Sequence, residues 1–412
     1  MLRRSVFALL TVLALAGCGH SRSAQTRTAT RSVTITVTRT VTKTVPRAAA
    51  PVPPPVPAPA RRLVVGAVED EAKFAPTDAA ARVHMVRARD AGFRAIAFSA
   101  FWRPRLRELP PVERDALRRA ARAAVAASIT PIVDVAQFGG DTPLTDTERE
   151  EFASFAASVP RLVPQVEHVV VGNEPNTNLF WRPQFDASGG DVAAQAYERL
   201  LARSYDAIKA FAPNVEVIGG GLAARGADRP EGKRPTHSPT AFIRDLGDAY
   251  RASGRSLPLM DAFSMHVYGE SSHVPPTHPH PFGSTIGIAD YDKLVHLLRE
   301  ALGRTTPIVY GEYGVNTTIP SGEEAAYTGS QVDSKHPVDA WTQARYYSQA
   351  IALAACQPLV EMLLLFHVTD EPQLEHFQTG MYYADQAPKP GLDQVAQTAD
   401  AAAAGTVPCP RR

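Results

Sequence analysis

Residues 166–176 read VEHVVVGNEPN, an apolar run that ends at Glu174 and stops at Pro175. A short valine-rich run predicts a buried β-strand, and proline cannot continue its ladder of hydrogen bonds. Glu174 is therefore predicted to lie at the carboxyl end of a strand. A second glutamate, Glu312, follows the apolar run of residues 307–310 in the same way. Two carboxylates placed alike on two strands are typical of paired acid–base chemistry.

Eight short apolar runs follow one another along the chain, and each has the length of a buried strand. They are Leu63–Val68, Ala95–Ser99, Pro131–Val135, Val166–Val171, Val215–Gly219, Ala262–Val267, Pro307–Tyr310 and Glu361–His367. Segments with helical spacing of apolar residues separate them. These segments are Thr77–Ala91, Pro111–Ala127, Thr145–Val159, Val192–Ala212, Ser238–Ser253, Asp290–Leu302 and Val338–Ala355. Strict alternation predicts a parallel sheet, and eight strands in about 350 residues predict one (β/α)8 TIM barrel.

The connections after predicted strands four to seven are long, and those on the opposite side are short. The long ones are Thr177–Gly190, Ala223–Pro239, Gly269–Ile288 and Val315–His336. All four follow strand ends, so they belong to the C-terminal face, where barrel enzymes keep their active sites. An open doubly wound sheet would need a glycine-rich phosphate loop after the first strand, and residues 66–70 do not supply one.

The first 62 residues differ in composition from the rest. Residues 1–18 are basic, then apolar, and end in Gly17-Cys18, which predicts an export signal too short to span a membrane. Residues 15–18, LAGC, are similar to a bacterial lipobox, so we expect a lipid on Cys18; an ordinary cleaved signal peptide is the alternative. Residues 19–62 are rich in Thr, Arg and Pro and predict a disordered linker.

Charge is distributed unevenly along the chain. Residues 1–62 carry ten of the 43 Lys and Arg and none of the 42 Asp and Glu. Residues 63–412 therefore carry 33 basic and 42 acidic side chains, a net charge of −9. An acidic exported domain argues against nucleic acid as a partner. We expect an exported protein, either a lipoprotein of the cell surface or periplasm that touches the membrane only through its N-terminal lipid, or a secreted protein.

Two cysteines remain once Cys18 is assigned to lipid. Cys356 lies at the end of a predicted helix and Cys409 close to the C-terminus. An oxidising compartment favours a disulfide between them over two separate buried thiols.

Three motifs at predicted strand ends carry a family resemblance. Asn173-Glu174-Pro175 ends the fourth strand, His266-Val267-Tyr268 the sixth, and Glu312 the seventh. Together they resemble the retaining glycoside hydrolases of clan A, which include cellulase-like, mannanase-like and β-xylosidase-like enzymes. The resemblance covers residues 63 to about 400. It implies a barrel domain over residues 63–412 that cleaves a β-linked O-glycosidic bond by double displacement, without a cofactor or metal.

The resemblance also implies a role for each of these side chains. Glu174 would be the acid/base, with a raised pKa, and Glu312 the nucleophile, kept ionised by hydrogen-bond donors. Tyr268 would contact Glu312, and Asn173 would bind the 2-hydroxyl of the sugar. His266 would line the rim, or be a polar residue satisfied by neighbouring backbone.

Sugar rings stack on aromatic side chains, so we expect platforms near the strand ends. Trp102 and Trp181 follow predicted strands and are the candidate platforms. Trp341 begins a predicted helix and is expected to pack against the rest of the domain instead. The clan usually has a tryptophan at the end of the eighth strand, but residues 365–368 read LFHV. Phe366 or His367 would have to form that floor.

Other polar residues near strand ends allow two interpretations. Four acidic side chains at strand ends could clamp sugar hydroxyls or a cationic group, or could anchor loops by salt bridges: Glu69, Asp70, Asp370 and Glu371. Asp134 lies inside the third predicted strand, where a structural role is equally consistent. Three histidines in the loop after the sixth strand lack metal-site spacing and predict a solvated loop: His273, His278 and His280. The alternative function for the whole chain is a non-catalytic glycan-binding lipoprotein on the same barrel.

Overall fold

The structure is a computed structural model, and it describes residues 62–232, 235–332 and 335–409. The predicted signal segment, Cys18, and the predicted linker as far as residue 61 lie outside the described residues.

Eight parallel strands form a closed barrel in chain order. They are β1 Val64–Val68, β2 Ala95–Phe101, β3 Thr130–Ala136, β4 His168–Val171, β5 Glu216–Leu222, β6 Ala262–His266, β7 Ile308–Tyr313 and β8 Val360–Phe366. β8 pairs with β1 from Met362 opposite Val64 to Phe366 opposite Val68, which closes the sheet. The predicted (β/α)8 barrel is confirmed.

The described part of the chain has nine α-helices outside the barrel. They are α1 Glu71–Phe74, α2 Asp78–Asp90, α3 Pro111–Ala126, α4 Asp146–Leu162, α5 Ala193–Phe211, α6 Pro239–Ala252, α7 Tyr291–Leu302, α8 Ala340–Ala355 and α9 Leu392–Ala404. The seven predicted helices correspond to α2 to α8, and the single turn of α1 and the C-terminal helix α9 are additions. None of the helices in the described ranges combines the length and apolar character that a membrane span requires.

Strand bounds depart from prediction where the backbone is irregular. β5 continues past Gly219 because Gly220 and Gly221, with φ of 93° and 59°, carry a shift of register against β6. β7 continues to Tyr313, so Glu312 lies within the strand rather than after it. β4 begins at His168 because the chain before it is a turn, closed by Val166 N–H to the Val163 carbonyl.

The barrel interior is apolar in its lower layers and polar at the top. Its apolar cluster consists of Ala95, Ala97, Ile132, Val170, Ile218, Ala262, Val309, Met362 and Leu364. Side chains alternate along a strand, so the inward positions nearer the C-terminal ends are Ser99, Asp134, His266 and Phe366. The long connections open at this same end, as predicted. Polar side chains and long loops therefore meet at one rim.

The C-terminal segment is fastened to the base of the barrel. Cys356, directly after α8, forms a disulfide with Cys409, which confirms the predicted bridge. Helix α9 contacts α8 and β1, and Leu63 N–H donates to the Ala402 carbonyl at 3.1 Å.

Removing the disulfide should destabilise the fold without touching the rim. Its sequence separation is 53 residues, and a crosslink of this length restricts the unfolded chain by about 2 to 5 kcal/mol. We expect Cys356→Ala/Cys409→Ala to lower the free energy of unfolding by that amount in urea titrations. Wild-type protein in reducing agent is the matched control and should behave like the double variant. Equal urea midpoints for all three samples would contradict the prediction.

Candidate active site

A sharp turn after β4 positions Glu174. Gly172 has φ of 83°, and Glu174 itself has φ of 39°, which is rare for a residue with a side chain. The Glu174 N–H donates to the Gly221 carbonyl at 2.9 Å, in the irregular end of β5. The backbone is thus held away from a regular strand path, and the carboxylate reaches the ring of His266.

Asn176, two residues beyond Glu174, joins the connections after β4 and β5. Its side chain is fully buried. The amide Nδ2 donates to the carbonyls of Ala223 and His237 at 3.1 and 3.0 Å, and Oδ1 accepts from Ala223 N–H at 2.9 Å. The turn that carries Glu174 is therefore attached to the neighbouring connection through one amide.

Glu312 in β7 faces β6. The Tyr268 hydroxyl donates to Glu312 Oε2 at 2.9 Å, in agreement with the predicted contact. Gly311 has no side chain because a Cβ there would collide with Ser264 Oγ and lie 3.2 Å from His266 Cδ2. Glycine lets β7 approach β6 and brings Glu312 next to His266.

The imidazole of His266 lies between the two glutamates. Its Nδ1 is 3.1 Å from Glu174 Oε1 and 3.5 Å from Glu312 Oε2. One oxygen of each carboxylate and a ring nitrogen all lie within 4.8 Å of one another. Glu174 and Glu312, predicted from separate strand ends, are thus brought together with His266 and Tyr268 in one cluster.

Charge within this cluster determines its protonation. Burial lowers the pKa of His266, but the negative charges of Glu312 and Glu174 outweigh burial and raise that pKa to about 9. The ring is therefore a cation at neutral pH. Burial raises the pKa of Glu312, and His266 and the Tyr268 hydroxyl oppose this rise. The predicted hydrogen-bond donor to Glu312 is present, but burial has the larger effect on its pKa.

Asp134 is a further carboxylate of the site, and the motifs did not single it out. Burial raises its pKa to about 7, the charge of His266 lowers it, and that of Glu312 raises it. Its Oδ1 is buried and has no hydrogen-bond partner in the described part of the chain. The signal for Asp134 is strand alternation, because it lies two residues beyond the inward-facing Ile132.

Two predicted binding residues border the cluster. Asn173 Oδ1 is buried without a partner among the described residues, so it remains available as an acceptor. Phe366 ends β8 with its ring centroid 6.5 Å from that of Tyr268 and 5.1 Å from that of Phe377. The peptide bond between Phe366 and His367 is cis. Phe366 thus occupies the predicted floor position next to the cluster.

Trp102 and Trp181, the two predicted sugar platforms, are packing residues instead, so that prediction is wrong. Trp181 is 0 % exposed and packs edge-on against Tyr197 at 5.7 Å. Trp102 is 1 % exposed, and its Nε1–H donates to the Leu106 carbonyl at 2.8 Å. Neither ring has a free face. Trp341, predicted to pack, is instead 59 % exposed.

Phenylalanines occupy the rim where tryptophans were expected. Phe101 ends β2 and Phe138 follows β3; both are half-buried, and their rings stack at 4.7 Å with an interplanar angle of 7°. Phe138 also stacks on the buried Phe180 at 5.9 Å. This pair, Phe101 and Phe138, forms an aromatic surface at the ends of β2 and β3, and β3 is a neighbour of β4.

The four acidic residues at strand ends, which could have clamped sugar hydroxyls or anchored loops, anchor loops. Glu69 accepts from the backbone N–H groups of Glu71 and Thr369 at 3.1 and 3.3 Å, and Asp70 accepts from Ser99 N–H at 2.9 Å. The other two form ion pairs, Asp370 with the buried Lys389 at 2.8 Å and Glu371 with His376 at 2.7 Å.

Three groups of described residues could hold a metal ion, and each combines imidazole with carboxylate. They are Glu174–His266–Glu312, Glu270–His278–His280 and Asp191–His237–Asp245. In the second group, His280 lies 2.7 Å from Asp290 and 2.5 Å from Glu270. His280 is largely buried, so the prediction of a solvated loop is wrong for this residue.

The cation on His266 makes stability depend on pH. A folded-state pKa of about 9 against an ordinary 6.5 means that the proton stabilises the fold fully below pH 6.5. This contribution is lost as pH rises through about 9. We expect thermal unfolding to show wild type more stable than His266→Gln at low pH, with the difference shrinking across this window. A difference independent of pH would mean that His266 is neutral in the fold.

No protein-family model and no curated protein sequence matches this chain. Solved structures do resemble it. The exo-β-1,4-mannosidase Op5Man5 from Opitutaceae bacterium strain TAV5 is 16% identical, with TM-score 0.52, over 84% of this chain and 61% of that one. A glucosidase from Croceicoccus marinus is 12% identical, with TM-score 0.57, over 84% and 69% of the two chains. A GH5_18 protein from Streptomyces cattleya, solved with Manβ1-4GlcNAc, is 16% identical, with TM-score 0.56, over 85% and 83%.

This chain spans less than two thirds of the mannosidase, 61% of its length, and 34% of a similar Bacteroides uniformis β-glucuronidase. At such identities the likeness establishes the shared barrel fold.

Proposed function

We propose that this protein is a retaining glycoside hydrolase that cleaves a β-linked O-glycosidic bond, with Glu174 as acid/base and Glu312 as nucleophile. The observation that carries the proposal is the approach of the two carboxylates, with one oxygen of each within 4.8 Å. Retaining enzymes separate their carboxyl groups by about 5 to 5.5 Å, whereas inverting enzymes need about 6.5 to 9.5 Å to admit a water molecule.

The reaction proceeds in two displacements. In the first, a Glu312 oxygen bonds to the anomeric carbon as the glycosidic C–O bond breaks, and Glu174 gives its proton to the leaving oxygen. In the second, Glu174 takes a proton from water, the water oxygen bonds to the anomeric carbon, and the ester to Glu312 breaks. The sugar leaves with its original configuration, and Glu174 is protonated again.

His266 suits this exchange because it contacts both carboxylates. In the first displacement Glu312 loses its negative charge to the ester, while Glu174 gains one by giving up its proton. The negative charge therefore moves from one neighbour of the His266 cation to the other, 3.5 Å and 3.1 Å from its Nδ1. Tyr268 orients the attacking carboxylate through its 2.9 Å hydrogen bond. The free acceptor of Asn173 is suited to a sugar hydroxyl.

The aromatic pair at the rim and the activities named for the similar solved structures guide the choice of substrates. Phe101 and Phe138 offer an apolar surface to the C–H face of a sugar ring. The similar structures include an exo-β-1,4-mannosidase and a glucosidase. A panel of β-mannosides and β-glucosides, both aryl glycosides and β-1,4-linked oligosaccharides, is therefore the appropriate first assay.

Neutralising either glutamate should reduce turnover, and the size of the reduction should depend on which glutamate is changed and on the leaving group of the substrate. Glu312→Gln removes the nucleophile and should inactivate the enzyme on all of them. Glu174→Gln should slow oligosaccharide hydrolysis by about 10²- to 10⁴-fold. It should affect the first step much less for an acidic phenol, which leaves without protonation. Single-turnover kinetics on both substrate types checks this difference, and NMR of the released anomer checks retention.

The control is Glu216→Gln, which neutralises a carboxylate at the opposite end of the barrel, where Glu216 pairs with His168 at 2.6 Å. It should keep wild-type turnover. Glycan binding without turnover in wild type would overturn the proposal in favour of a non-catalytic glycan-binding lipoprotein.

We propose further that residues 1–18 direct export, that Cys18 carries lipid, and that residues 19–62 tether the domain formed by residues 63–412. The lipobox-like sequence LAGC supports this. Cys18→Ser should move the protein from the membrane fraction of a bacterial host to a soluble fraction. Unchanged fractionation, with no acyl group found by mass spectrometry of wild type, would refute the lipid anchor.

A further inference from the structure

Asp191, His237 and Asp245 converge from three elements beside the candidate active site. Asp191 ends the connection between β4 and α5, His237 ends the connection between β5 and α6, and Asp245 lies in α6. The side chains of His237 and Asp191 are 1 % and 9 % exposed, and that of Asp245 is 38 % exposed. The cluster is thus closed on the protein side and open to solvent at Asp245.

Three polar atoms of this cluster lack hydrogen bonds to any described residue, whereas Asp191 Oδ1 accepts from the backbone N–H groups of Ala193 and Ala194 at 3.1 and 3.3 Å. Both ring nitrogens of His237 and Oδ2 of Asp191 are buried without a partner in the described ranges of the chain. Buried polar groups are nearly always paired, so the unpartnered Nε2 of His237, which faces both carboxylates, requires an explanation. Phe185 and Phe242 flank the His237 ring at 4.8 and 5.8 Å and supply no polar partner.

The distances fit a shared ion better than a direct contact. His237 Nε2 is 3.3 Å from Asp245 Oδ2 and 3.8 Å from Asp191 Oδ1. A charged hydrogen bond between these groups would be about 2.7 to 2.9 Å long. Two ligands bound to one tetrahedral ion at about 2.1 Å lie about 3.4 Å apart.

The Glu270–His278–His280 group differs in the contacts that its buried histidine makes. Its buried histidine already has carboxylate oxygens of Asp290 and Glu270 at 2.7 and 2.5 Å, one at each ring nitrogen. The Asp290 contact is a hydrogen bond at Nδ1, whereas neither ring nitrogen of His237 has a hydrogen-bond partner in the described part of the chain.

We propose that Asp191, His237 and Asp245 bind one divalent transition-metal ion, with Zn²⁺ as the best match. One imidazole nitrogen and two carboxylate oxygens are ligands that Zn²⁺ accepts, and three protein ligands leave a fourth position for water. The open side at Asp245 provides that position.

The ion would brace the turn that carries Glu174. The backbone N–H of His237 donates to the backbone carbonyl of Asn176 at 2.7 Å, and the side-chain Nδ2 of Asn176 donates back to the backbone carbonyl of His237 at 3.0 Å. Asn176 lies two residues beyond Glu174. A metal that fixes His237 to Asp191 and α6 therefore also fixes the two connections that hold the candidate acid/base in place.

The test is zinc binding to the purified full chain after treatment with a chelator. Isothermal titration should give one Zn²⁺ per chain, and the ion should raise the temperature of thermal unfolding. Asp245→Asn removes a half-exposed ligand, so it should preserve the fold while weakening Zn²⁺ binding by at least about 10-fold. Asp248→Asn is the matched control, because it makes the same charge change one turn along α6 at an exposed position.

Cobalt provides a second readout that does not depend on stability or turnover. Co²⁺ bound at this site should give the visible absorption of a four-coordinate ion, and His237→Gln should abolish that band. Zinc binding of equal strength in Asp245→Asn and Asp248→Asn would place the ion elsewhere and overturn the proposal. So would a chain that binds no zinc. Both outcomes leave the proposed glycosidase activity untouched, since its assay requires no added metal.

Discussion

Pairing of β8 with β1 is the constraint on which the candidate site depends. An open sheet would leave β4 and β7 three strands apart, with Glu174 and Glu312 separated by the width of the intervening strands. Closure bends the sheet into a ring, so that inward side chains of distant strands face a common axis. Two residues that are 138 positions apart in the chain thereby come within reach of one imidazole.

The site concentrates negative charge around a single cation. Glu174, Glu312 and Asp134 all interact electrostatically with His266, and burial makes each of these interactions stronger than it would be in water. Such a surplus of carboxylates is costly for the folded protein, yet in the proposed reaction it would complement the positive charge that develops at an anomeric carbon. A fold that is stabilised elsewhere, by an apolar lower barrel and a covalent crosslink, tolerates this cost at the rim.

Features that depend on the order of strands and helices could be predicted from the sequence, whereas features that depend on packing could not. Glu174 and Glu312 were accessible because a strand end is visible in a pattern of apolar residues. Trp181 was misplaced because its position in the chain does not reveal which face of a loop packs inward, and Tyr197 covers it. Asp134 could have been found by extending the alternation of β3.

The cluster of Asp191, His237 and Asp245 lay beyond such reasoning for a different reason. Its members come from two irregular connections and one helix, and no periodicity relates them. The same limit applies to the stacked pair of Phe101 and Phe138, whose ring geometry follows from how two neighbouring strands end.

The hydrogen bond between Leu63 and Ala402 brings the start of the first strand next to the end of the last helix. Because the first strand and the last helix of the barrel meet, the eight units form a ring in which the start of the chain is arbitrary. Circular permutants that join these two ends and open a short connection at the base would keep every contact at the rim. The protein could thus be attached to a surface or a fusion partner from many directions while its site stays unchanged.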